Sequence, residues 1–191
     1  MPKGKSLTLY WSKNGNTEKV ARRIHETLEK AGMEDTMLRM KKDVEVEYYD
    51  YNLLFVGAPV YANLPPKPVT AFLSRHKKRG VEILASAPEK PGIGSVMYCT
   101  YGGGHTGLRE ATPMLEYAAQ FYEHEGIRVI DKWAVRGSFP EANAAYNQQG
   151  RTGNVIDRPN AQDLDDVAGM VMGILRQMHL VLPLGDLNLD L

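Results

Sequence analysis

Leu7-Thr8-Leu9-Tyr10-Trp11-Ser12-Lys13-Asn14-Gly15-Asn16-Thr17 is the stretch on which the reading of this chain turns. An apolar strand runs into a turn rich in hydroxyl and amide groups, and a helix-like segment follows at once. Ser12, Asn14 and Thr17 offer side-chain donors, and Gly15 lets the backbone bend toward an oxyanion. The free N–H groups at the start of the next helix face the same space. This is the build of a phosphate cradle, and it points to a phosphorylated cofactor.

Working outward, Thr17–Ala31 carries Val20, Ile24, Leu28 and Ala31 on one stripe and closes at Gly32, so it reads as an amphipathic helix. Thr36–Met40 is expected to be a short second strand. Tyr51–Ala58 is a continuous apolar run ending at Gly57-Ala58-Pro59, the pattern of a central parallel strand buried on both faces. Pro68–Arg79 is expected to be helical, Ser95–Tyr101 a buried strand, Thr106–Glu125 a helix stopped by Gly126, Ile127–Arg136 a strand, and Ala161–Met178 the last helix. Strands alternating with helices imply right-handed crossovers, hence an α/β, doubly wound, open sheet of five parallel strands with helices on both faces. Ligands of such sheets bind at the carboxyl ends of the strands. The loops Trp11–Thr17, Pro59–Pro68 and Thr100–Thr106 converge there. Gly137–Asn160, with Asn143, Asn147, Gly150 and Gly153, is too long for a routine connection and reads as a lid, a partner surface or a mobile insertion. The tail Leu180–Leu191 alternates leucine with polar residues and reads as a docked arm, an oligomer contact or a frayed end.

With 191 residues, the expectation is one domain over residues 1–191. Hydrophobic residues make up 43% and charged residues 24%, the composition of a soluble protein. No apolar run approaches the ~18 residues of a membrane span. Met1-Pro2-Lys3-Gly4-Lys5 leads into the first strand without a secretory core, and the lone Cys99 has no partner for an internal disulfide, so a reducing cytoplasm is expected. One cysteine also excludes a cysteine-ligated iron–sulfur cluster within the chain. The five histidines show no ligand spacing, and no metal is expected. Twenty-three acidic residues balance 23 basic ones, which gives no pull toward nucleic acid. The run Arg75-His76-Lys77-Lys78-Arg79 is read as the solvated cationic end of a helix.

Taken together, these residues resemble the flavodoxin-like family of FMN-binding proteins. Ser12-Lys13-Asn14-Gly15-Asn16-Thr17 is similar to that family's phosphate loop, [ST]-x-[ST]-G-N-T, with Asn14 in place of the usual hydroxyl residue and Lys13 adding a charge. Gly57-Ala58-Pro59-Val60-Tyr61 is similar to the G-[ST]-P-[VIT]-[YW] loop beside the flavin ring, and a glycine-rich turn follows the fourth strand. The resemblance covers roughly residues 7 to 136 and implies FMN as cofactor. Ser12, Lys13, Asn14, Gly15, Asn16 and Thr17 would then meet the phosphate. Pro59, Val60, Tyr61, Ala62 and Asn63, with Thr100, Tyr101, Gly102, Gly103, Gly104 and His105, would surround the ring. The residue types suit that chemistry. An isoalloxazine needs flat apolar faces, for which Tyr61 and Tyr101 are the candidates, and backbone amides of Gly102 to Gly104 at its pyrimidine edge. Asn63 or His105 would add side-chain donors, and a cationic His105 near N1 would raise the potential. His105 reads equally well as an exposed neighbour of a helix start.

Gly102-Gly103-Gly104-His105-Thr106-Gly107 also satisfies the G-x-G-x-x-G dinucleotide fingerprint, with Asp131 further on. It follows the fourth strand rather than the first, and a better phosphate loop lies upstream, so that reading is set aside. No G-x-x-x-x-G-K-[ST] pattern occurs. Cys99 reads as an inert buried thiol, and Trp11 either covers the ribityl side or packs beneath the sheet. The expected function is electron transfer by a flavin-binding redox protein, with an FMN-dependent NAD(P)H oxidoreductase of small molecules as the alternative and a cofactor-free module as a third class. The charge balance argues against a strongly acidic low-potential shuttle. Residues 150–163 loosely resemble the end of flavodoxin-like domains paired with ferredoxin modules, which implies an iron–sulfur protein or a reductase as redox partner. NAD(P)H is the alternative partner, and a homodimer stays open.

Overall fold

The computed structural model describes residues 3–76, 92–181 and 184–190. Its strands are β1 (Lys5–Tyr10), β2 (Glu34–Arg39), β3 (Leu53–Pro59), β4 (Gly94–Tyr101) and β5 (Arg128–Arg136). The helices among the described residues are α1 (Asn16–Lys30), α2 (Lys67–His76), α3 (Thr112–His124), the single turn α4 (Tyr146–Gln149) and α5 (Ala161–Val181). The five strands form one sheet in the order β2-β1-β3-β4-β5, and all neighbours are parallel. The order reverses between β1 and β3, so their following loops leave a crevice at the carboxyl edge.

Strand alternation sends side chains to two cores. Leu7, Leu9, Leu54, Val56, Met97 and Cys99 pack under α2 and α3. Leu53, Phe55, Val96 and Tyr98 pack under α1 and α5. All eight residues of β4 are buried, as expected of a strand covered on both faces. On α1, Val20, Ile24 and Leu28 are fully buried at helical spacing. The helix ends in a Schellman cap, with Met33 N–H on Leu28 O and Gly32 N–H on Glu29 O, both at 3.0 Å, and Gly32 at φ 97°. Asp35 is buried on β2, yet both carboxylate oxygens are matched: Ser6 Oγ donates to one and His25 Nδ1 bonds the other, each at 2.7 Å.

The expected helix Thr106–Glu125 is divided. A 3-10 turn, Gly107–Glu110, precedes α3, because Gly107 sits at φ 67° and Pro113 stands in the first turn of α3, where its missing N–H is harmless. Arg75 and His76 close α2, and the Arg75 guanidinium donates to the carbonyls of Lys41 (2.9 Å) and Val44 (3.3 Å). Lys77 to Arg79 lie outside the described residues. The C-terminal segment is docked over its described part: Gly4 N–H meets Leu184 O and Asn188 N–H meets Ala31 O, both at 2.9 Å, and Leu184 is buried. No helix of the described residues is long and apolar enough to cross a membrane.

Gly57 is where the sheet is tightest. A Cβ built there would stand 2.0 Å from Cε2 and Cζ of Tyr98, whose fully buried ring lies across the glycine from its register partner position on β4. Gly57→Ala is therefore expected to cost about 1–3 kcal/mol or more through overpacking, read as a lowered midpoint in urea unfolding.

Candidate functional site

The sheet's hydrogen-bond ladder continues past the strand ends into the loops. Trp11 N–H donates to Gly57 O, Val60 N–H to Thr100 O and Gly137 N–H to Tyr101 O, all at 2.9 Å. The loops after β1, β3 and β5 are each thereby registered against a neighbouring strand for one residue beyond regular strand.

In the first loop Gly15 takes φ 90° and its N–H donates to Ser12 Oγ at 3.1 Å. That bond uses Ser12 as acceptor and leaves its own O–H to donate elsewhere. The first helical bond of α1 runs from Lys19 N–H to Gly15 O, so the N–H groups of the helix's opening turn stand ahead of it. Arg39, at the end of β2, fixes the loop from outside by donating to Ser12 O. Thr17 and Thr100, both buried, bond through their hydroxyls at 2.7 Å. Two hydroxyls sharing one bond retain one unshared O–H between them. Asn16 Nδ2 donates to Ser138 O at 2.9 Å, tying the cradle to the segment after β5.

The second loop is a tight turn. Tyr61 and Leu64 exchange N–H···O bonds of 2.9 and 3.0 Å around Ala62 (φ 48°) and Asn63 (φ 67°). Two successive non-glycine residues with positive φ give the twist of a type I′ turn, and Ala62 bears left-handed strain of about 1–2 kcal/mol. The turn holds Tyr61, 40% exposed, with its ring edge-on to Trp11 at 6.1 Å and 89°. Burial pushes the Tyr61 phenol up from its ordinary value.

The third loop is covered by residues 137–160. A Cβ on Gly102 would stand 2.1 Å from Cε2 of Phe139, one on Gly103 2.1 Å from Thr152 Oγ1, and one on Gly104 3.1 Å from Cδ1 of Tyr146. The glycines are thus the seats of three side chains from the insertion. Backbone bonds complete the contact: Arg151 N–H to Gly104 O at 2.9 Å and Thr152 Oγ1 to Gly103 O at 2.8 Å. Glu110 Oε1 accepts from the N–H groups of His105 and Thr106, both at 2.7 Å. His105 is exposed, its ring edge-on to Tyr146 at 4.9 Å.

These loops enclose a cavity of about 630 Å³. It is lined by Ser12, Lys13, Asn14, Asn16 and Thr17 from the first loop, Pro59, Val60, Tyr61 and Ala62 from the second, and Thr100, Tyr101 and Gly102 from the third. Residues 137–143 complete the wall. An adjoining cavity of about 370 Å³ takes in Asn63, Gly104 and His105 and shares Val60, Ala62, Tyr101, Gly102, Phe139 and Asn143 with the first. Gly15 and Gly103 line neither and serve the turns instead. Tyr101 borders both cavities but is only 9% exposed, because Met97, Cys99 and Tyr101 share the strand face that meets the α2 and α3 core. Burial raises its phenol while Arg136 pulls it down, and burial raises the Cys99 thiol well above its ordinary range, leaving no reactive thiolate there.

Comparison with known proteins follows the same lines. The sequence model of the flavodoxin domain matches residues 7–85. The fold is flavodoxin-like. Oxidised Flavodoxin 2 from Bacillus cereus superposes with a TM-score of 0.65 at 14% identity, over 91% of this chain and 99% of that one. A flavodoxin from the domain Archaea gives 0.59 at 18% identity, over 91% and 97%. Rubredoxin oxygen:oxidoreductase from the anaerobe Desulfovibrio gigas gives 0.63 at 16% identity, over 94% of this chain and 37% of that one, so the chain spans little more than a third of that protein's length. At these identities the likeness is one of fold. No curated protein matches the sequence.

The sequence reading gave no site role to Phe139, Tyr146, Asn147 or Thr152. Asn147 is buried, accepts from Phe139 N–H at 2.7 Å and donates to Phe139 O at 3.2 Å, while Val155 N–H bonds its carbonyl at 2.8 Å. Asn147→Ala removes the side-chain pair of bonds. It is expected to destabilise the insertion by about 1–3 kcal/mol, seen as faster hydrogen exchange of the Phe139 amide with the sheet amides unchanged.

Proposed function

We propose that the chain binds FMN in the larger cavity and acts as an electron-transfer protein. The observation that carries this reading is the meeting, in one cavity at the carboxyl edge of β1, β3 and β4, of an oxyanion-binding turn with an aromatic wall. The donors fit a phosphate monoester: the unshared O–H of Ser12, one O–H from the Thr17–Thr100 pair, the opening N–H groups of α1 and its dipole. Lys13 borders the same cavity and would add charge. Tyr61 supplies an apolar face. A bound flavin would supply one- and two-electron chemistry. The chain's own part is to hold the phosphate, orient the ring and exclude water from it.

The partner in this reading is a redox protein, an iron–sulfur protein or a reductase, met in the cytoplasm. The second reading, direct reduction by NAD(P)H, is favoured by the adjoining cavity of about 370 Å³ beside the ring loops, which offers room for a small molecule.

FMN titration followed by visible absorbance tests the cofactor. Ser12→Ala and Thr17→Val are each expected to weaken FMN binding by about 1–3 kcal/mol, as for a bound anion losing a charge-assisted donor; unchanged affinity in both would remove the phosphate assignment. Under anaerobic conditions the flavin band of the loaded protein is expected to survive NADH and NADPH and to bleach with dithionite. Direct bleaching by either nucleotide would establish the second reading.

A further inference from the structure

We propose that Phe139, from the insertion after β5, supplies the second aromatic face of the cofactor's ring alongside Tyr61, in place of Tyr101. The inference rests on the flavin reading above and goes beyond it, because the sequence reading of residues 137–160 as a lid, a partner surface or a mobile insertion named no residue of that segment as a contact of the ring.

Three observations carry it. First, Tyr101 is committed elsewhere. Its strand parity turns it to the α2 and α3 core and its Cε2 lies 3.0 Å from where a Cβ on Gly103 would stand, so that, 9% exposed, it offers little surface to the two cavities it borders. Second, Phe139 is half-buried, lines both cavities, and lies on bare backbone. Its Cε2 and Cζ are 2.1 and 2.2 Å from the Cβ position of Gly102, a seat that any side chain at 102 would fill. Third, the ring is held by a frame that leaves it little freedom. Asn147 brackets its backbone on both sides, Tyr146 packs at 5.6 Å and 47°, and Ser138 is tied to Asn16 through its carbonyl and to Arg158 O through its N–H. One side of the ring is spent on Gly102 while the residue still borders the cavities. A flat apolar surface so placed is what a conjugated ring cofactor requires and what a phosphate alone does not.

The test is the affinity of the full chain for FMN and for D-ribitol 5-phosphate, which carries the phosphate and polyol without the ring, in wild type, Phe139→Leu and Phe139→Tyr. Phe139→Leu is expected to weaken FMN about tenfold, the scale of one lost aromatic contact. It should leave ribitol 5-phosphate unchanged and alter the visible circular dichroism of the bound flavin, while Phe139→Tyr restores the affinity. FMN binding by Phe139→Leu equal to or tighter than wild type would overturn the proposal, the tighter case marking Phe139 as a plug. Equal losses for both ligands would also overturn it, by reducing Phe139 to a support of the fold. Failure of wild type to take up FMN would defeat the flavin reading itself, and is seen before any variant is made.

Discussion

The site depends on the parallel ladder that joins β1, β3, β4 and β5 and does not stop where the strands do. The bonds from Trp11 to Gly57, Val60 to Thr100 and Gly137 to Tyr101 extend inter-strand pairing into segments that would otherwise be free loops. A parallel sheet aligns all its strand ends on one edge, so these extensions bring four different stretches of sequence into fixed mutual register. A cradle of weak donors works only when the donors are already aimed, since each hydrogen bond to a ligand competes with water for a small net gain. The sheet does the aiming. Tyr98 lying across Gly57 then shows how little slack the central strands allow.

Much of this was legible in the sequence because the decisive features are local. The hydroxyl- and amide-rich turn, the left-handed Gly15 and the apolar run of β3 announce themselves within a dozen residues, and the order of elements determines which loops share an edge. Tyr101 was only half legible. Its place in a glycine-rich loop suggested a ring-facing aromatic, whereas the period-two alternation through Met97 and Cys99 sends it inward, and alternation prevails because a phenyl-sized group gains more from the core than from a loop. The split of the expected helix at Gly107 and Pro113 has the same character, since two backbone specialists in one stretch outweigh the apolar periodicity around them.

The insertion was the least legible part. Residues 137–160 show neither helical nor strand periodicity, and their partners are glycines, which carry no side-chain signature of what rests on them. Asn143, Asn147, Gly150 and Gly153 read as loop composition. Asn147 in fact replaces a missing strand partner, with its amide bonded to both backbone groups of Phe139 as a neighbouring chain would be. The segment is organised by successive turns and a few side-chain-to-backbone bonds rather than by a regular ladder, and no single-sequence period reports such bonds.

The glycines at 102 and 103 have a practical corollary. A side chain at either position and the insertion in its present seat exclude each other, because Phe139 and Thr152 occupy the volume that a Cβ would need. Loop and segment are therefore packed as one unit, and neither can be altered at these positions without the other. Excising residues 137–160 would bare two hollows on the cavity wall. Grafting the insertion onto a relative with larger residues after β4 would find no place for it to land.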